Sequence, residues 1–227
     1  MHNFLIIPAY KPNNRLLTLI KLLEKANNLK ILVVNNGNTQ KYNEIFDKIG
    51  GFANTDVVFV KENIGKGHGI KSGLNFLKKN YVHINCCIFA DADGQHTNQD
   101  IIKILNFCEN NILKNTFILG TRDHNFQTPK LNRIGNYLYN IILNLKYGTK
   151  IKDSLSGLRA INFDDIDILL KIKDNDFRFE VATIKEFIKL KFKIREIKVS
   201  STYFVDKKSH FSKLSDSIKL LKYVLMN

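Results

Sequence analysis

Cysteine is scarce, with three in 227 residues and two of them adjacent, Cys86 and Cys87. That excludes a disulfide scaffold, and the lack of any Cys-x-x-Cys pair excludes a zinc ribbon. Long apolar runs are missing too: the longest span roughly five to seven residues, against the roughly 20 that a membrane-crossing helix needs. The first eleven residues, MHNFLIIPAYK, have no basic stretch ahead of an apolar one, so no signal peptide is expected. There is no internal repeat and no low-complexity linker, so one domain over 1–227 is the expectation. A chain of this length can bury roughly 70% of its unfolded surface and needs no staples. Acidic side chains are also few, 21 against 35 Lys and Arg, which leaves a net charge of +14. Arginine contributes only six of the 35, the other 29 being lysine. Lys, Asn and Ile share A/T-rich codons, which gives the excess one source unrelated to function. Its functional readings are nucleic acid, an anionic membrane surface or a phosphorylated substrate.

What is present is alternation. Short apolar runs at 4–9 (FLIIPA), 30–34 (KILVV), 57–60 (VVFV), 86–90 (CCIFA) and 116–120 (TFILG) read as strands. Between them lie helical repeats, such as Leu16, Leu19, Ile20 and Leu23 at i, i+3, i+4 and i+7. Continuous apolar strands alternating with helices predict an α/β fold with a parallel sheet buried on both faces. Ligands of such sheets bind beyond the carboxyl ends of the strands. The polar segments 8–11, 35–38, 61–69, 91–96 and 120–123 all fall there, so they are expected to converge. After residue 123 the pattern changes. A helix over 130–146 carries Leu131, Ile134, Leu138, Ile141, Ile142 and Leu145 as its expected stripe. A loop through 153–159, a helix over 179–190 and a strand over 194–199 follow. The three cysteines are expected in the core, Cys86 and Cys87 on opposite faces of one strand.

Asp91 and Asp93 follow the fourth strand, one residue apart. Two carboxylates so placed suit Mg²⁺ or Mn²⁺, which takes one or two carboxylates together with substrate phosphates. Alone, Asp-x-Asp also describes an ordinary polar turn.

The motifs in order resemble those of the family-two glycosyltransferases, inverting nucleotide-sugar enzymes with the GT-A fold. Ile7-Pro8-Ala9-Tyr10 resembles the first-strand motif at the nucleotide base, and Val34-Asn35-Asn36-Gly37-Asn38 stands where the family has Val-Asp-Asp-Gly-Ser. Asn63-Ile64-Gly65-Lys66-Gly67 resembles the Asn-x-Gly-Lys-Gly loop. Asp91-Ala92-Asp93-Gly94-Gln95-His96 matches the form found in polyprenyl-phosphate sugar synthases. Gly120-Thr121-Arg122, Asp153 to Arg159, Phe179-Glu180 and Arg195 to Val199 complete the series, with Ser209-His210-Phe211 resembling the tail of polyprenyl-phosphate mannose synthase-like members. The resemblance implies a Rossmann-like, mostly parallel central sheet flanked by helices, with a C-terminal acceptor-side extension. A nucleotide-sugar half (1–123) would precede an acceptor half (124–227).

It also implies roles. Pro8, Ala9, Tyr10, Asn36, Asn63, Lys66, Asp91 and Ala92 would bind the nucleotide-diphosphate sugar. Asp93, Gln95 and Asp91 would hold the Mg²⁺ or Mn²⁺ cofactor. Arg122 and Arg159 would meet phosphate, since a guanidinium binds it in bidentate fashion. Asp153 competes with Glu180 as general base for a hydroxyl acceptor, whereas a lipid phosphate needs no base. Arg133, His210 and Glu180 would serve the acceptor. His96 is expected on the surface.

Between Lys185 and Lys222 there are 11 Lys and Arg against four Asp and Glu, half the whole excess in 38 residues. A helix over 213–225 would carry Leu214, Ile218, Leu221 and Leu225 on one stripe, with lysines around it. Such a helix packs on its own domain or lies in a membrane interface. The leading expectation is transfer of a sugar to polyprenyl phosphate or a lipid-linked glycan, in the cytoplasm or peripherally on the inner face of the cell membrane. A soluble glycan or protein hydroxyl is the alternative acceptor. A non-catalytic basic binding module is the alternative of another class. Nucleic acid is not expected as a partner, because the acidic strand ends repel phosphate unless a metal intervenes.

Overall fold

The computed structural model describes residues 2–122 and 130–200, the side chains of 130–136 excepted. The chain runs β1 (His2–Ala9), α1 (Asn14–Leu23), β2 (Leu29–Asn36), α2 (Asn43–Gly50), β3 (Thr55–Val60), α3 (Lys66–Asn80), β4 (Ile84–Phe89), α4 (Asn98–Asn110), β5 (Thr116–Arg122), α5 (Lys130–Tyr147), β6 (Arg159–Asn162), α6 (Ile166–Leu170), α7 (Arg178–Lys189) and β7 (Lys193–Val199). Seven strands form one sheet in the order β3-β2-β1-β4-β6-β5-β7. All neighbours are parallel except β6, which runs antiparallel to both β4 and β5.

The α/β expectation holds, and each strand read from the sequence is present. One was not read. β6 is only four residues, Arg-Ala-Ile-Asn, too short to display a period of two, and the sequence places Arg159 in a loop. The sheet needs it: β6 fills the gap between β4 and β5 and pairs Phe89 with Arg159 and Leu119 with Arg159.

The sheet is covered on both sides. On one face Ile6, Leu32, Val34 and Phe117 pack with Leu74 of α3, Leu143 of α5 and Phe187 of α7. On the other, Leu5, Ile7, Val33 and Ile118 pack with Leu16 and Ile20 of α1, Phe46 of α2 and Ile104 of α4. Strand side chains alternate between faces. Accordingly Cys87 joins the first cluster and Cys86 the second, both buried and free as thiols.

Helix α5 is present with nearly the expected bounds. Among its described side chains, the buried ones are Tyr139, Asn140 and Leu143. Of the expected stripe, Leu138, Ile141 and Leu145 face solvent and Ile142 is half-buried, while the side chains of Leu131 and Ile134 lie outside the described residues. The inward face is instead chosen by two asparagines. Asn140 Nδ2 donates to the Lys152 carbonyl at 2.6 Å and Asn144 Nδ2 to that of Ile151 at 2.8 Å, and both Oδ1 atoms accept backbone N–H groups from the same segment. Satisfying buried backbone groups outweighs the burial of a few more apolar side chains. No helix among the described residues is long and apolar enough to cross a membrane.

Candidate active site

The carboxyl ends of β1, β2 and β3 are tied together by amides. Asn35 Oδ1 accepts from the Asn38 backbone N–H at 3.1 Å and from Asn38 Nδ2 at 2.8 Å, and Asn38 Nδ2 also reaches the Ala9 carbonyl at 2.8 Å. Asn36 Nδ2 donates to Asn63 Oδ1 at 3.2 Å and to the Gly65 carbonyl at 3.0 Å. A carbonyl can only accept, so this bond fixes which way the Asn36 amide points. Its Oδ1 is then a buried acceptor with no partner among the described residues. Pro8 lies beside it: a Cβ on Gly69 would come within 3.0 Å of the Pro8 Cβ and 3.2 Å of the Asn36 amide carbon. Tyr10 stands at the mouth, partly exposed, with the Lys11 ammonium 5.0 Å from its ring.

Gly65 starts α3 and has φ +137°, a left-handed conformation that favours glycine. It also approaches Asn175 so closely that a Cβ would sit 2.6 Å from that carbonyl. The turn therefore delivers Lys66 to the first position of α3, aimed across the strand ends. The Lys66 ammonium bridges the carboxylates of Asp91, after β4, and Glu180, in the first turn of α7, the latter at 2.6 Å. Burial alone would lower the Lys66 pKa, but the two carboxylates outweigh it and hold the ammonium charged well above its ordinary range. Burial likewise works against the Asp91 carboxylate, and Lys66 with His96 overcomes it, so Asp91 is held well below the usual carboxylate range.

His96 departs from the expectation: it is buried, with Nε2 3.3 Å from Asp91 Oδ2. It precedes Thr97, which with Asp100 forms the capping box that starts α4. Gly157 makes the other wall. A Cβ there would lie 2.3 Å from Asp91 Oδ2, so only glycine lets the acceptor-side loop close on this carboxylate.

Asp93 Oδ1 accepts the Gln95 N–H at 2.9 Å, which folds the turn after Asp91, and Ala92 packs against the second core cluster. Among the described residues no group of three or more His, Cys, Asp or Glu side chains is placed to hold a metal ion. The donor set still fits Mg²⁺ or Mn²⁺, which binds through one or two carboxylates and completes its shell from phosphate and water.

On the acceptor side Asp153 is fully buried, and Arg122 meets it with Nε at 2.7 Å and Nη2 at 2.9 Å. The Arg122 backbone N–H adds a third bond at 3.2 Å. Both carboxylate oxygens are thereby engaged, so in this arrangement Asp153 positions Arg122. Arg159 is also buried. It spreads its guanidinium over the carbonyls of Ser156 at 2.8 Å, Glu180 at 2.6 Å and Ser154 at 3.0 Å. That makes Arg159 a clamp joining the acceptor-side loop to the start of α7. Burial pulls its pKa down, and Glu180, Asp91 and Asp153 oppose the change. The Arg133 side chain, His210 and the helix expected over 213–225 lie outside the described residues.

One end of the sheet thus carries a cluster of amides, two carboxylates in sequence, a half-buried ammonium and two arginines. The crystal structure of glucosyl-3-phosphoglycerate synthase from Mycobacterium tuberculosis, solved with Mn²⁺, UDP and glucosyl-3-phosphoglycerate, superposes with a TM-score of 0.69 over 99% of this chain and 79% of that one, at 15% identity. That likeness establishes the GT-A fold. In sequence the chain is 27% identical to an uncharacterised protein of Methanocaldococcus jannaschii over 98% of this chain and 90% of the relative. It is 26% identical to the UDP-N-acetylglucosamine–dolichyl-phosphate N-acetylglucosaminyltransferase of Methanococcus voltae, over 88% of this chain and 85% of that enzyme. The model of glycosyl transferase family 2 matches residues 4–169, from the first strand into α6, and the chain belongs to that family.

Proposed function

We propose that this nucleotide-sugar glycosyltransferase is metal-dependent and transfers its sugar to a lipid phosphate, of the polyprenyl-phosphate kind, or to a glycan built on one. The observation that carries the choice is the Arg122–Asp153 pair. Transfer to a hydroxyl requires a carboxylate within hydrogen-bond reach of the nucleophile. Asp153 spends both oxygens on Arg122, whereas a phosphate oxygen is already ionised near neutral pH and attacks unaided. The dolichyl-phosphate enzyme of Methanococcus voltae supports the same acceptor class.

In the proposed reaction the Asn36 amide oxygen takes an N–H of the base, and Pro8, Ala9 and Tyr10 bound its ring. Lys66 turns from the Asp91–Glu180 pair toward the diphosphate, where its ammonium offsets negative charge. The acceptor oxygen attacks the anomeric carbon from the face opposite the diphosphate. The bond from that carbon to the leaving oxygen breaks, and its electrons pass to the nucleoside diphosphate. Arg122, held by Asp153, faces the phosphate side of this exchange, and Arg159 keeps the loop around Gly157 closed beside Asp91. Asp93 and Asp91, with Gln95 beside them, would hold Mg²⁺ or Mn²⁺, which supplies charge neutralisation for the leaving diphosphate. The crystal structure containing Mn²⁺ and UDP on the same fold supports that assignment.

The test is a thermal-shift panel of UDP- and GDP-sugars with and without Mn²⁺, since a ligand that binds only the folded state raises its stability. Nucleotide sugars should raise the melting temperature, more so with metal, and Asp93→Ala should remove the metal's increment along with turnover. Metal-dependent turnover surviving in Asp93→Ala would sink the metal assignment. For the acceptor, polyprenyl phosphate should take the sugar, whereas the matching polyprenol, which ends in a hydroxyl, should not. Transfer to the polyprenol or to a soluble glycan hydroxyl at a comparable rate would favour a hydroxyl acceptor.

A further inference from the structure

Helix α5 is apolar on its outer side as well as its inner one. Tyr137, Leu138, Ile141 and Leu145 are 66%, 49%, 36% and 79% exposed. At 3.6 residues per turn they fall within an arc of about 100°, opposite the buried Tyr139, Asn140 and Leu143. No charged side chain shares that arc between residues 137 and 147. A contiguous exposed apolar arc of this kind marks a surface that meets a second apolar medium. Other exposed large apolar side chains, such as Val82 and Ile112, stand singly in connecting segments.

Lysines follow this face in the chain, and others stand on α7. Lys146, Lys150 and Lys152 follow along α5 and the segment after it. Lys185 and Lys189 lie on α7, and Lys191 follows. The Lys185 ammonium is pushed below its ordinary range by partial burial first and then by Lys189 and Lys146, so the lysines of α5 and α7 share one field. Glu186 and Asp174 oppose that shift, and Glu186 pairs with Lys189 at 3.5 Å. Leu190, at the end of α7, adds apolar surface among these cations.

The charge selects the occupant. A second copy of this chain brings +14, and residues 201–227 bring five lysines against two aspartates. Both would carry like charge to a cationic rim. An anionic bilayer brings the opposite charge together with an apolar layer at the depth where Leu and Tyr side chains settle.

We propose that the outer face of α5, with the lysine rim of α5 and α7, is the surface by which the protein lies on an anionic lipid bilayer. The inner face of the same helix holds the 151–154 backbone, and through it Asp153 and Arg122, so docking by α5 would bring the acceptor side of the site to the interface where a lipid phosphate resides. The proposal deepens the lipid-acceptor reading and rests on it for its purpose.

The test is flotation of the purified full chain with phosphatidylcholine vesicles and with vesicles that also contain phosphatidylglycerol, at low and high salt. The expected result is binding to the anionic vesicles that weakens with salt. The combined variant Leu138→Gln, Ile141→Gln, Leu145→Gln should lose it by about tenfold or more, a free-energy change of roughly 1.4 kcal/mol. Lys146→Glu with Lys189→Glu should lose it at low salt. Melting temperatures should stay at the wild-type value, because the substituted side chains are exposed. Absence of wild-type binding, or binding that survives the apolar variant, overturns the proposal. So does an apolar variant whose only change, by light scattering, is a lost dimer. The nucleotide-sugar thermal shift, recorded on the same samples, separates the two readings. A lost shift with intact vesicle binding counts against the proposed reaction alone, and an intact shift without vesicle binding counts against this surface alone.

Discussion

At the scale of single residues, the asparagines at 35 and 36 replace carboxylates that the family usually carries, and the sequence alone leaves open whether they weaken the base site. Their hydrogen bonds give Asn36 a positive role. Its Nδ2 holds the Gly65 carbonyl and Asn63, which a carboxylate would repel or leave unmet. Restoring the family residue with Asn36→Asp should therefore lower stability, by about 1–3 kcal/mol as expected for a buried acceptor facing another. It should also shrink the nucleotide-induced thermal shift. A variant that is more stable and binds UDP better would show that the Gly65 carbonyl does not set the choice. Gly157 offers a second test. A methyl group there meets the Asp91 carboxylate at 2.3 Å, so Gly157→Ala should displace Asp91. A displacement of about 1 Å can cost on the order of 10²-fold in rate. The expected result is that loss in turnover with a melting temperature shifted by far less than a core mutation would shift it. The glycine was visible in the Asp153 to Arg159 motif, but its reason was not, because the clash is with a residue 66 positions earlier in the chain.

At the scale of elements, α5 separates what periodicity can read from what it cannot. The spacing of Leu131, Ile134, Leu138, Ile141, Ile142 and Leu145 located the helix to within a residue, 130–146 against Lys130–Tyr147. It did not show which face turns inward, because a hydrophobic count cannot see that Asn140 and Asn144 have backbone partners waiting in the 151–154 segment. Two substitutions two residues apart distinguish the faces. Leu143→Ala removes a fully buried side chain and should cost about 2–5 kcal/mol in chemical denaturation. Leu145→Gln should change stability by no more than about 0.5 kcal/mol. Equal costs would put the sequence-derived stripe back in the core. The strand ends were easier to read, since chain order already places 8–11, 35–38, 61–69 and 91–96 at one edge of a parallel sheet. β6 was not legible, because its identity as a strand depends on the gap between β4 and β5 and not on its own four residues.

At the scale of the whole molecule, the two halves marked by the sequence at residue 123 share one sheet and one core cluster. β5 and β7 belong to the same sheet as β1–β4 only through β6, which bonds to β4 on one side and β5 on the other. The first core cluster runs from Phe4 to Phe187, so the acceptor-side helices complete the hydrophobic cover of the nucleotide-side strands. A fragment of residues 1–123 would keep β4 but lose β6, exposing the backbone of Cys86 to Phe89 as an unpaired apolar edge. It would also uncover the side chains that meet α5 and α7. Open edges of that kind pair with other chains. Calorimetry of the intact chain should accordingly give one cooperative transition, and the fragment 1–123 should aggregate or remain unfolded rather than bind nucleotide as a separate module. Two resolved transitions, or a soluble fragment whose melting temperature rises with UDP-sugars, would make the nucleotide half an independent domain. In that case the Lys66–Glu180 ion pair would be a contact between modules instead of part of one core.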